Sequence, residues 1–134
     1  SNSANMVELQ PVIGAQELEA LCGMVEEVYM SDSIYTYIVS LVGKTRENSY
    51  IELGVSPRGT IACVCMAKAW AFLQGRNYVM PEDVADIFLD IAKHRIVLNT
   101  KARVTHMTEE AILSEIVSVT KQPASYMEKS EYRG

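Results

Sequence analysis

The chain has 134 residues, with 12 basic against 17 acidic side chains and a net charge of -5. That length suits one domain with a real core, and near-average shares of apolar and charged residues exclude wholesale disorder and a coiled coil. The acidic balance excludes a general nucleic-acid binder, which needs clustered positive charge, and the longest apolar run, 60–73, is interrupted by Lys68 and too short to span a bilayer.

The amino end, SNSANMVELQ, lacks a basic stretch followed by an apolar core, so no secretory signal is expected. Residues 1–8 read as a tag remnant or linker. Over 15–30, Leu18, Leu21, Cys22, Val25, Val28 and Tyr29 recur at spacings of three and four and predict a first helix. Gly14 is a weak N-cap, and Glu17 suits the positive first turn. A second helix follows, capped by Ser31 or Asp32, with Ile34, Ile38, Leu41, Val42 and Thr45 on one face. Lys44 and Arg46 fall in its last turn, where cations complement the carbonyl end. SYIELGVSP reads as a loop.

A third helix is predicted over 57–74. Ser56 is its N-cap, Pro57 fits the first helical position, and Gly75 closes it. Its apolar residues surround most of the circumference, as in a helix enclosed by others. RNYVM gives a short extended segment near 77–80. Pro81 starts a fourth helix with the stripe Val84, Ile87, Phe88, Ile91 and Ala92. RIVLN and ARVTH read as short extended pieces, the second near 102–106, around a polar turn at 99–101. Thr108 caps a fifth helix with Ile112, Leu113, Ile116 and Val117 inward. Residues 124–134 are polar and aperiodic and read as a flexible tail. The fold class is therefore all-α, a bundle of about five helices with extended segments near 77–80 and 102–106.

The chain lacks a G-x-x-x-x-G-K-[ST] loop, a G-x-S-x-G elbow and an H-E-x-x-H pair. His94 and His106 lie on different segments, and no metal site is expected. Cys22, Cys63 and Cys65 are an odd number in apolar surroundings and read as buried free thiols in a reducing compartment. Cys63 and Cys65, two apart on a helix, point to different faces and cannot pair with each other.

Arg58 stands out. The first turn of a helix presents backbone N–H groups without partners and partial positive charge. A guanidinium there adds a full charge and five donors, a combination suited to phosphate. The placement also disfavours the helix by roughly 0.3–1 kcal/mol. On the residues alone, an arginine that is merely solvated or paired with an acidic neighbour is the leading account, and S-P-R by itself is a weak signal.

The ordered set YIVSLV, KTR, LGVSPRG, GRNYVMPEDV and HRIVL resembles the lid domain of the MoxR family of AAA+ ATPases over 9–123. In that family nucleotide lies between an α/β core and a helical lid. The resemblance implies that Arg58 is the sensor 2 arginine contacting the γ-phosphate, with Ser56, Pro57 and Arg58 forming the nucleotide-binding turn. It implies ATP and Mg2+ in the full-length protein and a fragment that is not catalytic by itself. The implied partners are an AAA+ core before residue 1, neighbouring subunits of a hexameric ring, and proteins with von Willebrand factor A domains. Nucleic acid and membrane insertion are not implied. A cytoplasmic, chaperone-like remodeller of bacterial proteins is the expected parent. Three positions depart from the family: Gly59 for a helix former, Met80 for a polar cap, and Gly14 for another. Arg46, Arg76 and Arg95 receive no catalytic role and read as surface or packing residues, or as residues at the boundary between lid and core. The alternative is a stand-alone helical interaction module without nucleotide. A DNA-binding helix-turn-helix is disfavoured because PEDVADIFLDIAKHR is acidic until its last turn.

Overall fold

The computed structural model describes residues 14–124; the expected linker 1–8 and nearly all of the expected tail, 125–134, lie outside the described residues. Six helices and two short strands occur among them: α1 (Ala15–Met24), α2 (Asp32–Glu47), β1 (Ile51–Leu53), α3 (Pro57–Leu73), α4 (Pro81–Ala92), β2 (Val97–Leu98), α5 (Thr100–Val104) and α6 (Glu109–Val119).

The helix starts follow from side-chain chemistry. Ser31 Oγ accepts from the Ile34 N–H, Ser56 Oγ from Gly59, and Thr108 Oγ1 from Ala111. Each satisfies a donor left without an intrahelical partner, an effect of about 0.5–2 kcal/mol. α4 starts differently. Met80 offers no oxygen, but Asp83 Oδ2 accepts from the Met80 N–H at 2.7 Å, and Arg76 grips both Asp83 oxygens at 2.7 Å. The same guanidinium donates to Tyr78 O. The lost polar cap at Met80 is thus replaced from inside the helix. Hydrogen bonding to the buried Asp83 carboxylate holds the Arg76 pKa above its usual value.

α3 and α4 form the centre of the core. α3 offers mostly small side chains there, Ala62, Cys63, Ala67 and Ala71, so α4 approaches closely with Val84, Ile87, Phe88 and Ile91. α2 contributes Ile34, Ile38 and Leu41, and α6 adds Ile112 and Leu113. Fully burying a side chain such as Phe88 contributes about 1.5–3 kcal/mol. α3 is not enclosed on all sides: Ile61, Phe72 and Leu73 are exposed.

Four local expectations change. The first helix ends at Met24 rather than near residue 30. Tyr29 is instead drawn into a parallel bridge with Tyr78, taking the Asn77 carbonyl at 2.8 Å and giving its own to Val79. The segment near 77–80 is extended, as expected. SYIELGVSP contains β1, which pairs antiparallel with β2 through Ile51↔Leu98 and Leu53↔Val97. The piece near 102–106 is helical, not extended: Asn99 Oδ1 accepts from the Ala102 N–H and starts α5, which buries Ala102. The β-branched residues of ARVTH suggested a strand, but a strong N-cap and one buried alanine decide the segment.

The cysteine expectation also changes. Cys22 on α1 and Cys65 on α3 form a disulfide with a Cα–Cα distance of 5.1 Å. Cys63 alone is a free, buried thiol. Their 43-residue separation hid the pairing, which needs α1 to lie across α3. No helix among the described residues is long and apolar enough to cross a membrane.

Candidate functional site

Two consecutive residues in the last turn of α2 hold the strand that leads into α3. Thr45 Oγ1 donates to Val42 O and accepts from the Val55 N–H at 3.0 Å. Arg46 Nε donates to Val55 O at 2.9 Å. Both backbone groups of buried Val55 are therefore fixed. Gly54 passes so close to α2 that a Cβ would lie 2.8 Å from Arg46 Cα, which only glycine permits. One residue later Ser56 caps α3, and Pro57 and Arg58 form its first turn.

Gly59 is a packing residue. A Cβ on it would lie 2.6 Å from Val55 Cγ1 and 3.1 Å from Arg95 Cδ. The absent side chain lets Arg95 run beneath the helix start. Arg95 follows α4 and donates weakly to Ile91 O at 3.4 Å. Burial lowers its pKa from the ordinary guanidinium value.

These constraints bring Arg46, Arg58 and Arg95 around one cavity of about 510 Å³, whose remaining lining is the segment 53–59. Among the described residues no carboxylate lines it. In a chain with an acidic excess, three guanidiniums around one concave wall concentrate positive potential there. Arg58 is exposed and has no hydrogen bond or ion pair among the described residues. It also borders a smaller cavity of about 230 Å³ with Leu18, Cys22 and Ile61.

The donors are mostly guanidinium donors. Pro57 has no N–H, and Ser56 Oγ takes the Gly59 N–H. The helix end therefore offers little beyond the Arg58 N–H itself, and Arg58 supplies the charge. Ser56 keeps a hydroxyl proton to donate. This donor set fits phosphate oxygens and contains no oxygen-rich cluster for Mg2+. Among the described residues no group of His, Cys, Asp and Glu could hold a metal ion.

Sequence reasoning singled out Ser56, Pro57 and Arg58, which are adjacent here, and missed Arg46 and Arg95. Arg46 was legible only as a dipole partner. Its second role depends on the return of the chain past α2. Arg76 lies apart and belongs to the α4 cap.

The family profile described as AAA lid domain matches residues 43–116, more than half of the chain. The chain belongs to the AAA lid domain family. The lid is 41% identical to the uncharacterised protein YeaC of Bacillus subtilis over 115 residues, 86% of this chain and 36% of that one. It is 23% identical to Chaperone MoxR1 of Mycobacterium tuberculosis over 125 residues, 87% of this chain and 33% of that one. A solved structure from Cytophaga hutchinsonii, provisionally described as an ATPase, superposes with a TM-score of 0.70 at 35% identity, over 75% of this chain and 33% of that one. The lid is thus related to the MoxR family of AAA+ ATPases and spans about a third of the length of these relatives.

Proposed function

We propose that this lid closes over ATP held by an α/β core on the rest of a longer protein, and that Arg58 contacts the γ-phosphate. The observation that carries the reading is the cavity at the start of α3, lined by Arg46, Arg58 and Arg95 and by no carboxylate of the described residues. A charge-assisted Arg–phosphate hydrogen bond contributes about 1.5–3 kcal/mol. Arg58 makes that contact while a γ-phosphate is present and loses it after hydrolysis. A contact that differs between the two states is what shifts a lid between positions.

Mg2+ belongs to the core in this reading, because the described residues of the lid offer no ligand set for it. The name of the Mycobacterium tuberculosis relative supports a chaperone-like parent. A hexameric ring, partners with von Willebrand factor A domains and a cytoplasmic location belong to the same proposal. The stretch encoded before Ser1 tests it cheaply. It should carry a Walker A loop and a Walker B strand, and finding neither would sink the reading.

A further inference from the structure

α1 is anchored unevenly. Its C-terminal continuation is secured by buried Val25 and Val28 and by the Tyr29–Tyr78 bridge. Within α1, Leu18 is the one fully buried residue, Gly14 provides no side-chain cap, and α3 is the main surface it lies on. The remaining tie is covalent, from Cys22 to Cys65. The two ends of that bond differ: Cys22 is half-buried at the cavity it shares with Arg58, whereas Cys65 is buried in α3.

We propose that Cys22–Cys65 is a reversible thiol–disulfide site, open to small thiols at Cys22, whose state decides whether α1 is fixed to the Arg58 helix. A small thiolate attacks Cys22 Sγ. The Cys22–Cys65 bond breaks, and its electron pair leaves on Cys65 Sγ, which takes up a proton. A second small thiolate attacks the small-molecule sulfur of the mixed disulfide and displaces Cys22 as a thiolate, which is then protonated. Two electrons and two protons pass from two small thiols to the protein, and the small thiols leave as their own disulfide.

Three features favour exchange over a permanent staple. The reacting sulfur is reachable. The thiolate released at Cys22 forms at a cavity lined by the exposed Arg58 as well as by Glu19, and a neighbouring cation stabilises a thiolate. Reduction leaves Leu18 as the one fully buried residue of Ala15–Met24, so α1 loosens while the α3–α4 core persists. Cys63 takes no part: it is fully buried, and burial pushes its thiol up to about 12. The inference rests on how α1 lies against α3 and goes beyond the nucleotide reading.

The 134-residue chain is equilibrated in buffers of graded reduced-to-oxidised glutathione ratio, trapped with an alkylating reagent and mapped by mass spectrometry. Hydrogen exchange is followed in parallel. The expected result is two alkyl groups, on Cys22 and Cys65, appearing and disappearing reversibly with the glutathione ratio. Exchange protection of Ala15–Met24 then falls by about a hundredfold or more, with α3, α4 and α6 unchanged. Cys22→Ser should show the loosened α1 without reductant and no response to glutathione. A bond that stays closed across the whole series overturns the proposal, as does a reduced chain that keeps α1 protected. Unfolding of the whole chain on reduction overturns it too, since the bond would then be a staple of the fold.

Discussion

Arg58 occupies a turn where its own charge opposes the helix dipole, and although Glu19 lines the smaller cavity with it, no described carboxylate is ion-paired with it. The neighbouring residues explain its placement. Gly59 stands where the family resemblance implied a helix former, and the structure makes it a close-contact position. Gly59→Ala should destabilise the lid by about 1–3 kcal/mol, because the new methyl meets Val55 and Arg95. A urea midpoint equal to wild type would show that the contact relaxes without cost. Cys63 makes a second prediction at this scale. The buried thiol keeps its proton up to about 12, against an ordinary 9.0 in the unfolded chain. The folded state therefore binds a proton that the unfolded state releases, and stability is fully present below pH 9. It falls as pH rises from there towards about 12. Urea midpoints measured across that range should decline less steeply in Cys63→Ala.

At the scale of elements, Arg76 has a role that its sequence neighbours did not announce. Arg76 and Asp83 replace the missing cap of α4, with Asp83 only 2% exposed. Arg76→Ala leaves that carboxylate buried and unpaired and should destabilise by about 2–3 kcal/mol, near the low end for a broken buried pair because Arg76 is itself partly exposed. Calorimetric Tm values of wild type and variant check this; a change within error would mean water replaces the guanidinium. Helices α2, α3, α4 and α6 were legible because each joins a start signal, a capping side chain or Pro81, to a sustained apolar pattern. The strands were not. β1 and β2 hold three and two residues, too few for a periodic signal, and they exist because Ile51 finds Leu98 across the chain. α5 was misread for a related reason: five residues give no periodicity, and Asn99 reads equally as turn or cap. Of the site, Ser56 to Arg58 was legible as one helix start. Arg46, Arg95 and the Cys22–Cys65 bond were not, because each depends on packing between segments remote in sequence.

At the scale of the molecule, the lid is a helical block with a cationic notch on an otherwise acidic chain. In the proposed reading three arginines on one wall supply half of a nucleotide pocket, and half a pocket binds weakly. Titration of ATP into the 134-residue chain should give little or no heat; tight binding would mean that the lid holds nucleotide unaided. The central claim is that Arg58 acts on a phosphate supplied from outside this domain. The direct measurement is ATP turnover by the longer protein carrying this lid, wild type against Arg58→Ala, paired with the thermal stability of the 134-residue chain bearing the same change. The account predicts turnover lower by about a hundredfold, as for loss of a donor to developing charge, with Tm nearly unchanged. Unchanged turnover, or a large fall in Tm, would contradict it.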